Sequence, residues 1–266
     1  MNKNTDQKQI IVSLTSFPQA IPYAVQAIRS ILTGSLLPDK IVLYLDTPKF
    51  PEGILPQELE ALKAESPIFE VRFDEAEIRS YKKLIPALRD FPNDIIVTID
   101  DDIQYHPDML SRLIQIHKQA PDAIIAHRVR KVQLDSPYRT WRKYKWYDFI
   151  FRRLHFDRHA MQTGVGGVLY PPHSLDEKML DSTLFMTMAP TNDDIWFWAM
   201  AVLNKTKITC IDNPFNQLTY VNIARDLGII NSLTLWNFNN AGNNDKQFNK
   251  LLEHFPEIKK IIIDNT

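Results

Sequence analysis

A chain of 266 residues with 44% hydrophobic and 24% charged side chains has the make-up of an ordinary globular protein, long enough for one large domain or two small ones. A formal net charge of -1 excludes a global field that would draw the chain to nucleic acid or to an anionic membrane. A single cysteine, Cys210, excludes an intrachain disulfide and a cysteine-rich zinc site, and agrees with a reducing compartment.

The stretch from Met1 to Lys8 is polar and lacks the apolar core of a signal peptide. No apolar run approaches the roughly 18 residues of a membrane helix. A cytoplasmic protein is expected, with a peripheral contact to the inner face of a membrane left open. Residues 9–14 are predicted as a first strand through Ile10, Ile11, Val12 and Leu14, broken by Thr15-Ser16-Phe17-Pro18. Pro22 opens a helix to about residue 32, and Gly34 is expected to end it as a left-handed cap. Residues 40–45 form a second strand with Asp46 at its carboxyl end, residues 55–64 a helix, and residues 68–73 a third strand. Residues 81–89 form a short helix bearing Lys82 and Lys83. Residues 94–99 form a fourth strand, β-branched and without polar alternation, as in strands buried on both faces. It runs straight into Asp100-Asp101-Asp102. Residues 107–119 read as a helix and residues 123–127 as a fifth strand.

Strand and helix thus alternate to about residue 127, which predicts an α/β fold with a mostly parallel sheet flanked by helices. Ligands of such sheets bind outside the carboxyl ends of the strands. Thr15, Ser16, Asp46 and the three acids are therefore expected to converge on one crevice. Three adjacent carboxylates repel one another unless a cation joins them. Mg2+ and Mn2+ take carboxylate oxygens and leave sites open for substrate phosphates. Asp100 and Asp102 are the candidate metal ligands, spaced to reach one ion while Asp101 binds through water or caps the next turn. A solvated acidic loop is the alternative. Glycine is scarce, at 7 residues, and neither G-x-G-x-x-G nor a Walker loop is present. Bound phosphates would have to be neutralised by a metal and by Lys or Arg side chains; Lys83 is placed to meet a phosphate or a donor sugar, with a solvated lysine as the alternative.

The second half has a different texture. Residues 138–158 mix basic and aromatic side chains densely, and Trp141 to Arg153 has three readings: a mobile flap over the crevice, a membrane contact, or a basic helix face with its aromatics in the core. In the flap reading, Arg142, Lys143 or Lys145 neutralises a diphosphate while Trp141 or Trp146 excludes water. Gly164, Gly166 and Gly167 then precede a strand to Tyr170, a density that suggests close approach of a ligand or another backbone. Asn192 or Asp193 is the predicted N-cap of a buried helix through Ile195 to Leu203. Residues 207–211 read as a late strand, and Asn243-Asn244-Asp245 as the start of a last helix with Phe248, Leu251 and Leu252 inward.

Three features in this order carry a family resemblance: Asp100 to Asp102 after a buried strand, the glycine-rich strand from Gly164 to Tyr170, and the acid pair Asp193-Asp194 before a buried helix. The chain resembles the GT-A-fold nucleotide-sugar glycosyltransferases, most of all bacterial family-2-like members, with some likeness to the exostosin-type domain. The family's usual acid pair is Glu-Asp, where this chain has Asp-Asp. The resemblance implies a single GT-A-type domain over residues 1–266, with a nucleotide-binding half at 9–127 and an acceptor-side half at 128–266. It also implies metal-dependent transfer from a nucleotide sugar, expected to be a UDP-sugar, to a glycan or lipid-linked saccharide in bacterial surface polysaccharide synthesis, with no nucleic acid involved. Asp102 would bind Mn2+ or Mg2+, Asp100 would contact ribose, Thr15 would contact the nucleotide from the first loop, and Asp194 would be the catalytic base, or else only cap its helix. Asp46 would accept the N3 hydrogen of uracil, or else simply start the turn at Thr47-Pro48. A base implies inversion at the sugar carbon; the exostosin-type likeness points to retention. A sugar nucleotidyltransferase or a non-catalytic carbohydrate-binding protein are the alternatives, the first needing a Gly-rich Arg loop that Thr15 to Gln19 does not supply.

Overall fold

The computed structural model describes residues 8–144, 155–156, 159–211, 219–221 and 239–263. The chain opens with β1 (Ile10–Thr15), α1 (Ile21–Leu32), β2 (Lys40–Asp46), α2 (Gln57–Glu65), β3 (Phe69–Asp74), α3 (Ile85–Asp90) and β4 (Ile95–Thr98). It continues through β5 (Ile103–Gln104), α4 (Met109–His117), β6 (Ile124–Ala126), β7 (Val129–Lys131), β8 (His155–Phe156), β9 (Ala160–Gln162) and β10 (Val168–Tyr170). The remainder is α5 (Ser182–Met188), α6 (Asp193–Leu203), β11 (Ile208–Cys210), β12 (Thr219–Tyr220), α7 (Asn244–His254) and α8 (Pro256–Ile263).

Among the described residues the main sheet has eight strands in the order β3-β2-β1-β4-β10-β6-β11-β8. Neighbours from β3 to β4 pair in parallel, as do β6 and β11. β10 runs antiparallel to both β4 and β6, and β8 antiparallel to β11. The expected mostly parallel α/β sheet is what the chain forms, with one reversed strand near its centre. Because β10 is reversed, its amino end shares an edge with the carboxyl ends of β1, β2, β4 and β6. The glycine-rich turn before β10 is thereby delivered beside the acid triplet after β4.

The sheet is buried on both faces, and alternate side chains of each strand serve different cores. Val12, Leu14, Leu43, Val97 and Leu169 pack with α1, α2 and α4 through residues such as Ile28, Leu62 and Leu113. Ile11, Val42, Ile96, Val168 and Tyr170 pack on the other face with Phe185, Trp196, Phe197, Trp198 and Phe248 from α5, α6 and α7. α6 is apolar nearly all round and buried from Ile195 to Val202, as expected.

Several expected boundaries move for identifiable reasons. The helix anticipated over residues 81–89 is a 3-10 turn at Arg79–Lys83 followed by α3, broken at Leu84 with Pro86 in the first turn of α3. The glycine stretch before β10 forms a 3-10 turn at Gly164–Gly166, not strand. α7 is not the last helix, since Pro256 starts a further one in α8. Gly34 is not the left-handed cap it was expected to be, because it is absent from the positive-φ positions. Space explains it instead: a Cβ there would lie 3.1 Å from both the Ile31 and Pro107 carbonyl oxygens.

Gly167 is the glycine of this edge whose backbone demands it, with φ +89° and a would-be Cβ 2.9 Å from Met109 Sδ. Gly167→Ala is expected to destabilise the fold by about 1–3 kcal/mol through left-handed backbone strain. Urea denaturation should show a lower midpoint at unchanged slope; an unchanged midpoint would contradict the assignment.

Candidate active site

β4 ends inside the core, and the chain turns out of it at Asp100, Asp101 and Asp102, all three part-exposed. Tyr105 anchors this turn: its Oη accepts from the Asp100 N–H at 2.8 Å and its hydroxyl donates to the Val165 carbonyl at 3.4 Å. The Asp102 carbonyl accepts from the Val221 N–H at 2.9 Å, so β12 closes over the same turn. Asp101 is held by a partner from the first loop. It accepts the Ser16 hydroxyl at 2.5 Å, and burial, aided by Asp100, lifts its carboxyl to about 6 against the opposing pull of Ser16.

Lys83 links this turn to the rest of the crevice. Its carbonyl accepts the Ser13 hydroxyl at 2.6 Å, which pins the 3-10 turn under β1. Its ammonium lies 2.7 Å from Asp100 Oδ1 and 3.1 Å from Asp193 Oδ2. Burial alone would lower this ammonium, but Asp100, Asp193 and Asp194 together hold it well above the usual lysine range. Ser80 donates to Asp193 Oδ1 at 3.0 Å. Asp193 is therefore an ion-pair partner. The N-cap of α6 is Asn192, whose side-chain oxygen accepts the Ile195 N–H at 3.2 Å, so the Asp193 alternative does not hold.

Asp194 is the member of the acid pair that retains access, being part-exposed where Asp193 is buried. Its Oδ1 accepts the Gly164 N–H at 2.9 Å. Burial first, then the neighbouring Asp193, push its carboxyl up to about 7. Gly164 is required here by close approach: a Cβ would sit 2.6 Å from Lys83 Nζ and 3.3 Å from Asp194 Oδ1. Lys83, Asp100, Asp193, Asp194 and Gly164 thus form one connected cluster.

The other predicted residues lie along the same edge in separate roles. Thr15 donates its hydroxyl to the Tyr44 carbonyl at 2.8 Å, tying β1 to β2. Asp46 is buried at the end of β2, with Lys49 2.7 Å from Oδ2 and Lys82 paired to Oδ1. Burial would raise its carboxyl, but the two ammoniums hold it below the usual range. Lys82 is fully buried and also donates to the Asp74 carbonyl at 3.2 Å. Sequence reasoning noted Lys82 without giving it a role. The 3-10 turn buries both lysines, Lys82 against Asp46 and Lys83 against Asp100 and Asp193.

The donor set can be tested for a metal on its chemistry. Among the described residues no group of three His, Cys, Asp or Glu side chains makes a metal cage. Asp100 and Asp102 at the crevice mouth instead fit a hard divalent ion held by one or two carboxylates and completed by water and substrate phosphates. The basic aromatic segment divides. Trp141 belongs to the core, edge-on to Phe248 at 4.7 Å with its Nε1–H donated to the Ser136 carbonyl at 3.0 Å, so it is not the water-excluding lid residue of the flap reading. Tyr138 and Tyr144 are buried too. Lys145, Trp146 and the stretch to 154 lie outside the described residues. Among the described residues no helix is long and apolar enough to cross a membrane.

The raised Asp194 carboxyl has a consequence for stability. A folded-state value near 7 against an ordinary value of 3.8 means the folded protein binds the proton more tightly. Its contribution is fully present below about pH 4 and is lost as pH rises through 7. In metal-free protein, Asp194→Asn, which mimics the neutral acid, should therefore gain stability relative to wild type as pH rises from 4 to 8. A pH-independent difference in urea midpoint would contradict this.

The family described as Glycosyl transferase family 2 matches residues 18–177, from the turn after β1 past β10. This stretch contains Asp46, Lys83, the acid triplet and Gly164 and stops short of Asp193-Asp194. No curated protein matches. Similar solved structures include S. aureus TarS 1-349, at 12% identity and TM-score 0.51, covering 82% of this chain and 62% of that one. Another is the mannosyltransferase PcManGT from Pyrobaculum calidifontis in complex with GDP-Man and Mn2+, at 12% identity and TM-score 0.49, covering 79% and 56%. The chain spans less than two thirds of the length of either. The match over more than half its length is decisive: the chain belongs to glycosyl transferase family 2.

Proposed function

We propose that the enzyme moves a sugar from a nucleotide-sugar donor, a UDP-sugar by our reading, to a glycan or lipid-linked glycan in bacterial surface polysaccharide synthesis, with a divalent metal. The observation that supports this reading is the Lys83 ammonium joining Asp100 of the strand-end acids to Asp193 beside Asp194. One crevice then holds a place for the donor diphosphate and a base for the acceptor. Residues up to 127 would carry the nucleotide, with Thr15 and Asp46 toward its base and ribose, and the later residues would carry the acceptor. Asp46 stays ionised between its lysines, as an acceptor for an imide N–H must.

Asp102 with Asp100 would hold the Mn2+ or Mg2+ ion, which supplies positive charge to the departing diphosphate when bound. Asp194 would take the proton of the acceptor hydroxyl as that oxygen bonds to the sugar carbon and the carbon–phosphate-oxygen bond breaks. Its carboxyl near 7 suits a general base working at neutral pH. Attack assisted by a base opposite the leaving group inverts the sugar carbon. Lys83, paired to Asp100 and Asp193, would orient the donor sugar.

The direct test is a panel of nucleotide sugars with Mn2+ or with chelator, following nucleoside diphosphate release. Metal-dependent release from one donor is expected; release from none, or pyrophosphate exchange instead, would overturn the reading. Asp102→Asn should nearly abolish that turnover and weaken metal and donor binding together, while the metal-free fold is unchanged or slightly more stable through relief of repulsion. Wild-type turnover with metal in this variant would remove Asp102 from the metal site. Asp194→Asn should lower turnover about 10²–10⁴-fold with donor affinity kept, since a base acts on the acceptor. Equal loss of donor binding in calorimetry would make Asp194 a donor ligand.

A further inference from the structure

Three cations gather on the acceptor side of the crevice, near Asp194 but, among the described residues, in no ion pair with it or with another carboxylate. Arg128 leaves the carboxyl end of β6, and β7 carries Arg130. Lys143 pairs with Arg130 through an antiparallel bridge, so the two side chains leave the same face. Arg128 is fixed by its carbonyl, which accepts both the N–H and the hydroxyl of Thr163 at 3.0 and 3.2 Å. The next residue, Gly164, donates its N–H to Asp194. That short backbone path sets Arg128 beside the proposed base, two strands away from the acid triplet across β10. Arg130 is held too, with Nη1 donating to the Trp141 carbonyl at 3.1 Å and its guanidinium 5.0 Å over the Tyr138 ring.

None of the three makes an ion pair with a carboxylate among the described residues. Arg128 and Arg130 are part-buried, and Lys143 is exposed at the rim. Burial and mutual repulsion lower the Arg128 guanidinium and the Lys143 ammonium below their usual ranges. Like charges held together this way destabilise a fold unless an anion joins them. A guanidinium fork with a second cation beside it matches the oxygens and charge of a phosphate. The donor diphosphate has its own partners at the β4 end, by the reading above, on which the identity of this ligand rests.

We propose that Arg128, Arg130 and Lys143 form an anion subsite that takes a phosphate or phosphodiester group of the acceptor, next to the hydroxyl that Asp194 deprotonates. The acceptor class is then a phosphate-bearing glycan or a saccharide carried on a phosphorylated lipid.

Inorganic phosphate, titrated calorimetrically in chelator at fixed salt, tests the subsite without any need for activity. Wild type should bind it, and Lys143→Gln, at the exposed rim and safe for folding, should weaken binding about tenfold, the value of one charge-assisted contact. Arg128→Gln should weaken it at least as much. No binding by wild type, or equal binding by the variants, would overturn the proposal. Repeating the titration with saturating UDP or GDP and Mg2+ separates the two sources of phosphate. Undiminished phosphate binding supports the acceptor side; displacement by the nucleotide would assign the cations to the donor diphosphate and overturn it. If neither nucleotide binds, the nucleotide-sugar reading fails, while the phosphate titration still decides the subsite.

Discussion

A buried ammonium between carboxylates from distant parts of the chain holds this crevice in shape. Lys83 is 5% exposed, and nothing about a lysine favours that burial. Taking the charge out of water costs several kcal/mol, offset only when good partners lie close on more than one side. Asp100 and Asp193 supply them at 2.7 and 3.1 Å. The arrangement joins the turn after β4 to the first turn of α6, at the edge of the core that β4 and α6 already share. It also favours the glycine at 164, since a side chain there would displace the ammonium from its ion pairs. Asp194, next along α6, is raised toward neutrality by burial first and then by Asp193, with Lys83 pulling the other way.

The acid pair is held from behind as firmly as from the front. Asn192 caps α6 with its oxygen and donates its amide to Asn244 Oδ1 at 2.7 Å. Thr191 donates its N–H to Gln247 Oε1 at 2.9 Å and its hydroxyl to Asn239 Oδ1 at 2.6 Å. These are buried, mutually satisfied polar groups, which specify one geometry because any slip leaves them unpaired. The chain after residue 239 therefore helps position the site although it contributes none of its charged residues. Trp196, Phe197 and Trp198 anchor the same helix in the core against Phe185, Tyr81 and Phe248.

Much of this was legible in the amino-acid order because burial leaves a periodic trace. Apolar β-branched runs announced β1, β2 and β4, and strand-helix alternation announced the parallel half of the sheet. The acids stood out because three carboxylates after a buried strand demand an explanation. The reversed placement of β10 was not legible, since pairing partners are a tertiary choice. Lys82 was missed because its burial depends on a 3-10 turn and on Asp46, far away in sequence. Trp141 was left between a lid and a core reading because its basic neighbours masked an aromatic that packs on Phe248. Asp193 was half-read: acids in a first turn suggest capping, but Asn192 one residue earlier had the better geometry. Arg128 and Arg130 drew no notice because two arginines around a valine look like any solvated strand.

The claim on which the account depends is that Lys83 couples the strand-end acids to the acid pair of α6. A double-mutant cycle on stability measures that directly. Lys83→Met should cost about 3–5 kcal/mol, because it strands buried carboxylates without their cation. Adding Asp193→Asn should recover at least about 1 kcal/mol of that loss, the signature of direct coupling. A Lys83→Met variant within about 0.5 kcal/mol of wild type, additive with Asp193→Asn, would contradict the account.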